Sequence, residues 1–120
     1  MTMLDTPIAF APSTDLARSR AFYADSLSLT VLEETPFALV FPGIRVTKVD
    51  SLTPQPFTIL GWQVQDIAST IATLTARGVT FTRYDGMDQD PAGVWTTPSG
   101  AKVAWFTDPD GNTLSLTQFT

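Results

Sequence analysis

The chain contains no cysteine and no histidine. Without cysteine there is no disulfide scaffold, zinc knuckle, iron–sulfur site or thiol nucleophile. Without histidine there is no Ser-His-Asp catalysis and no metal site that needs imidazole. Positive charge is also scarce: seven Lys and Arg stand against twelve Asp and Glu, a net charge of −5. That balance argues against nucleic acid and anionic membranes as partners. Long apolar runs are missing. The longest, Phe37 to Phe41, falls far short of the roughly 20 residues that span a bilayer. The start, Met1 to Asp5, lacks the basic and apolar stretches of a secretory signal, so a cytoplasmic protein is expected.

What remains is ordinary globular material. With 120 residues, 43% hydrophobic and 16% charged, the chain suits one folded domain rather than a disordered segment. Its organising signal is an internal repeat. Asp15-Leu16-Ala17 returns as Asp66-Ile67-Ala68, 51 positions on, and at that offset Ile8 meets Ile59 and Ala21 meets Ala72.

Each copy predicts a strand, an acidic helix start, a helix and three strands. The first helix begins near Thr14 or Asp15, where a side-chain oxygen can accept orphan amide hydrogens and a carboxylate suits the helix dipole. The second begins near Asp66. Its Ile67, Ile71 and Leu74 share one face, and Gly78 is placed to stop it. Pro42-Gly43, Pro98-Ser99-Gly100 and Asp108-Pro109-Asp110-Gly111 predict tight turns between strands. Module one is expected over about 5–50, a proline-bearing link over about 50–56, and module two over about 57–120.

Alternation assigns faces. Leu60, Trp62 and Val64 oppose Gly61, Gln63 and Gln65, while Leu114 and Leu116 oppose Thr113, Ser115 and Thr117. Arg45 shares its parity with Thr47 and Val49. One face of each sheet should pack on a helix. The other is small, neutral and rich in hydroxyl and amide groups. It is either solvated or curled into a pocket by sheet twist.

Three motifs in order resemble the vicinal oxygen chelate superfamily, which includes glyoxalase I, fosfomycin-resistance transferases, extradiol dioxygenases and bleomycin-resistance proteins. They are Asp15-Leu16-Ala17-Arg18-Ser19 with Phe22-Tyr23 and Leu27-Ser28-Leu29; Val64-Gln65-Asp66-Ile67 with Ala76-Arg77-Gly78-Val79; and Phe106 through Leu114. The resemblance covers nearly the whole chain. It implies an α+β fold: two βαβββ modules forming an open curled barrel around a cavity, often as a homodimer.

The family's metal site is not carried. In metal-binding members a His lies seven positions before each helix-starting Asp, and a Glu follows the final hairpin. The matching positions here are Ile8, Ile59 and Ser115. The fourth falls around Thr47 or Val49. A divalent cation needs three or four nitrogen, oxygen or sulfur donors, so no metal and no other cofactor is expected. Carried over as an organic-ligand pocket, the cavity would be lined by Ile8, Phe10, Ile59, Gly61, Gln63, Trp95, Val103, Trp105 and Ser115. Trp105 matches a substrate-contacting position of fosfomycin-resistance enzymes, and Trp95 matches their phosphonate-binding lysine. Indole in place of a cation disfavours a small phosphonate and suits a planar, partly aromatic molecule.

No catalytic residue is assigned. Ser115 has no base to activate it. Asp108 to Gly111 is read as a hairpin turn rather than the opening of a calcium loop. Asp85, Asp88 and Asp90 are read as a solvated rim. The expected function is that of a small-molecule binder without a metal. A metal-free isomerase, lyase or cyclase is the alternative, with Glu33, Glu34, Asp50 or Tyr84 as its acid or base. A metal-dependent glyoxalase or dioxygenase, or a regulatory module with an incidental cavity, ranks behind.

Overall fold

Two aspartates one repeat apart start the two helices in the same way. Asp15 Oδ1 accepts from the Arg18 amide and Asp66 Oδ1 from the Ser69 amide, each at 3.1 Å. A computed structural model describes residues 3–120. The chain divides into two compact units, the first ending at Thr53 and the second running Pro54–Thr120. That boundary falls inside the stretch read as the link.

The first unit holds β1 (Ala9–Ser13), α1 (Leu16–Arg20), β2 (Glu33–Glu34), β3 (Ala38–Phe41) and β4 (Ile44–Lys48). Its sheet runs β1-β4-β3-β2, with β1 parallel to β4 and the other pairs antiparallel. Gly43 makes the β3–β4 turn with φ of +73°, a conformation glycine adopts without steric cost. Beyond Arg20 the helix widens into a π turn over Ala21–Ser26, marked by Leu27 N–H donating to the Phe22 carbonyl at 3.0 Å. The core gathers Ala11, Leu39, Phe41, Ile44 and Val46 with the fully buried Tyr23. The Tyr23 ring centroid lies 6.1 Å from that of Phe41. Each large buried side chain contributes roughly 1.5–3 kcal/mol. The buried Ser13 and Ser19 hydroxyls lie 2.6 Å apart, joining β1 to α1 and satisfying each other away from water.

The second unit repeats the order with β5 (Thr58–Gln63), α2 (Ile67–Ala76), β6 (Trp95–Thr96), β7 (Lys102–Thr107) and β8 (Thr113–Gln118). Its sheet runs β5-β8-β7-β6, again with the first pair parallel. Each unit is thus one βαβββ module, and each sheet is open rather than closed into a barrel. α2 packs on β7 and β8. Its Ile67, Ile71 and Leu74 are buried, as are Leu60, Ala104, Phe106, Leu114 and Leu116 of the sheet. Trp62 stacks on Phe106 at 6.4 Å, so this indole belongs to the core side. Gly78, at φ +91°, ends α2 by donating to the Thr75 carbonyl.

The Asp108–Gly111 segment is a hairpin turn. Asp108 is 5% exposed; its Oδ1 accepts from the Asp110 and Asn112 amides and its Oδ2 from the Asn112 side chain. The carboxylate is committed to its own turn. Among the described residues no helix is long and apolar enough to cross a membrane.

Candidate functional site

In the second unit the face opposite α2 is set by strand parity and register. Two cross-strand rows lie on it. The first runs Gly61, Ser115, Trp105; the second runs Gln63, Thr117, Val103, Trp95. Six of the residues expected to line a cavity therefore share one sheet face. Trp95, Val103 and Trp105 are half-buried, Gly61 and Gln63 exposed, and Ser115 buried.

Ile59, on the same strand, is set apart by an irregularity that alternation did not reveal. Register passes from Thr58 opposite Thr113 to Leu60 opposite Leu114, so Ile59 is the extra residue of a bulge. Bulges re-aim side chains where a strand must bend.

The aromatic side chains on this face touch. The Trp95 and Trp105 ring centroids lie 6.3 Å apart with 31° between planes. Tyr84 meets Trp105 edge-on at 5.4 Å and 87°. Tyr84, a candidate acid or base by residue type, lies outside the strands whose alternation assigns this face. Its position comes from a loop that hydrogen-bonds to itself. Gln89 Oε1 accepts from the Tyr84 amide at 2.7 Å, and Gln89 Nε2 donates to the Thr82 and Gly93 carbonyls at 3.0 and 2.8 Å. The Arg83 guanidinium donates to the Asp90 carbonyl at 2.6 Å and more weakly to those of Gln89 and Pro91. Asp90 Oδ1 accepts from the Ala92 and Val94 amides, each at 2.9 Å. Asp90 is thus a loop fastener, while Asp85 and Asp88 are exposed on the same loop. A bond from the Thr82 amide to the Trp105 carbonyl, and bridges Phe81–Phe106 and Gln89–Trp95, fix the loop to the sheet.

Gly61 and Ser115 form a notch in this face. A Cβ on Gly61 would stand 2.6 Å from Ser115 Oγ and 3.2 Å from its carbonyl oxygen. The hydroxyl occupies the room that the missing side chain leaves. Ser115 as a residue is 8% exposed, and its hydroxyl, which reaches solvent, has no hydrogen-bond partner among the described residues.

The remaining expected residues lie in the first unit. Ile8 precedes β1 and is 48% exposed; Phe10, on β1, is 60% exposed. Phe10 pairs with Arg45, Arg45 with Val40 and Val40 with Glu33, a row on the face away from the buried Ala11 and Val46. Of the other acid–base candidates, Glu34 is held by Arg20 Nε at 2.7 Å.

At the positions that the resemblance matches to metal ligands, the side chains present do not fit a divalent cation. Ile8 and Ile59 have no donor atom, and Ser115 offers a single neutral hydroxyl. Among the described residues no group of three His, Cys, Asp or Glu is placed to hold a metal ion.

A separate open groove of about 650 Å³ lies between α2 and the segment 79–92, walled by Ala68, Ile71, Ala72, Val79, Phe81 and Pro91 among others. It contains none of the expected site residues. The guanidinium of Arg83, its charged member, is occupied by backbone carbonyls. The open sheet face carries three clustered aromatic rings together with the hydroxyl and amide groups of Ser115, Thr117 and Gln63.

No family model matches the chain, and no curated protein sequence matches it. Solved structures match over its full length. A glyoxalase/bleomycin resistance protein/dioxygenase superfamily member from Sphaerobacter thermophilus is similar with TM-score 0.72 at 25% identity, covering 98% of this chain and 98% of that one. TnmS3, an antibiotic binding protein from Streptomyces sp. CB03234, is similar with TM-score 0.74 at 23% identity, covering 100% and 99%. The fosfomycin resistance protein FosX from Listeria monocytogenes is similar with TM-score 0.76 at 16% identity, covering 99% and 96%. The fold of this chain is the fold of that superfamily.

Proposed function

We propose that the protein binds a small, flat, partly aromatic organic molecule on the open face of its second sheet, and that it does so without a metal at the superfamily's position. The observation that carries this reading is the contact of Trp95, Trp105 and Tyr84 on the face turned away from α2. Large rings left half-exposed give up part of the burial energy that a core position would supply. A flat ligand restores it and adds about 0.5–1.5 kcal/mol per aromatic pair. The residues in both rows are neutral, which suits an uncharged or delocalised ring system better than a small phosphate. The similarity to a protein described as antibiotic binding is in keeping with this role. The reading places the protein in the cytoplasm as a homodimer, and its net charge of −5 sets nucleic acid aside as a partner.

Titration of intrinsic tryptophan fluorescence with a panel of flat aromatic compounds tests the proposal. Quenching with a Kd below about millimolar, lost in Trp105→Ala, is the expected result. A panel without a single binder overturns it.

A second reading, a metal-free isomerase, lyase or cyclase, is favoured by one observation. Of its four acid–base candidates, Tyr84 is the one whose ring touches Trp105.

A further inference from the structure

We propose that Ser115 selects, among flat ligands, those carrying a neutral ring carbonyl, by donating its hydroxyl hydrogen to that oxygen in the Gly61 notch. The inference rests on the ligand-binding reading above and narrows it to planar polycyclic ketones and related lactams.

Ser115 is 8% exposed, and its hydroxyl meets no hydrogen-bond partner among the described residues. The hydroxyl reaches solvent, so a flat ligand covering the face would take water from it, a cost that falls only when the ligand brings a partner of its own. The surroundings show where that partner fits. On one side lies Gly61, whose lack of a side chain leaves the hydroxyl over bare backbone; a Cβ there would stand 2.6 Å from Oγ. On the other side, in register, lies Trp105, whose ring meets Trp95 and Tyr84. A ring resting on the indoles would bring an oxygen at its edge towards the hydroxyl. That oxygen should be uncharged. The two rows contain Gly61, Ser115, Trp105, Gln63, Thr117, Val103 and Trp95, with no cation to balance a carboxylate and no carboxylate to balance an ammonium.

The probes are fluorenone and fluorene, flat tricycles of similar outline that differ by one carbonyl. Equilibrium dialysis gives Kd for each with the full chain, with Ser115→Ala and with Gly61→Ala. The Kd ratio of fluorene to fluorenone should fall about three- to tenfold from the unaltered protein to Ser115→Ala, the usual worth of one hydrogen bond. Gly61→Ala, which forces the hydroxyl to move, should lower the ratio in the same direction. An unchanged ratio in Ser115→Ala overturns the role of Ser115 and leaves the flat-ligand reading standing. Failure of the unaltered protein to bind either compound up to its solubility overturns both.

Discussion

The phenol ring of Tyr84 stands almost perpendicular to the Trp105 indole, 5.4 Å from it, and so helps fix the indole proposed to meet a ligand. The two residues come from different segments, a loop and β7, so the contact couples loop order to the sheet face. Tyr84→Ala removes the edge contact and is expected to shift tryptophan emission to longer wavelength and to weaken ligand quenching several-fold. Tyr84→Phe keeps the ring and should preserve both emission and affinity. Catalysis by the phenol would instead show as turnover of a bound ligand that Tyr84→Phe abolishes.

Gln89 is the residue on which that loop depends. Its one amide group accepts from the Tyr84 amide and donates to two carbonyls, at 2.7–3.0 Å. Gln89→Ala leaves three half-buried backbone groups without this partner, at about 1–3 kcal/mol for a group that water does not reach. Urea unfolding should show that loss. The same variant should weaken ligand binding although Gln89 is not one of the residues proposed to touch the ligand. Unchanged stability would mean that water replaces the amide freely.

Much of the fold could be read from residue spacing because local chemistry decides it. Asp15 and Asp66 cap the helices they were expected to start, and Pro42-Gly43 and Asp108 to Gly111 turn the strands they separate. The open-face rows follow from alternation alone once register is fixed. Other features had no local marker. Glu33–Glu34 is a two-residue strand, too short for a period. The bulge at Ile59 arises within an apolar run with no glycine or proline at it. The π turn over Ala21–Ser26 leaves helical composition unchanged. Tyr84 reaches Trp105 through side-chain bonds of Gln89 and Arg83 to backbone carbonyls, and spacing does not encode such bonds.

The two helix caps offer an internal control. Asp15→Ala and Asp66→Ala each remove one side-chain acceptor at 3.1 Å from an amide three residues on. Each should cost about 1 kcal/mol. The caps share no hydrogen-bond partner, so the double variant should lose the sum to within about 0.5 kcal/mol. Chemical denaturation of the four proteins measures this. A double variant much less stable than the sum would show that the two modules depend on each other for folding.

Ser28 stands in a backbone conformation unsuited to its residue type. Its φ is +61°, the one positive value recorded for a residue other than glycine among those described. The left-handed region costs an L-residue about 1–2 kcal/mol. Ser28→Gly relieves the steric cost but loses about 0.5–1 kcal/mol to the greater freedom of the unfolded chain. The net change should be a small gain, or close to zero where the serine side chain has its own partner. Ser28→Val places a β-branched side chain in the same conformation and should destabilise by more than about 1 kcal/mol. Melting temperatures ordered glycine at or above serine, with valine well below, are the expected result. A valine variant as stable as the serine protein would show that the segment after the π turn relaxes out of the left-handed region.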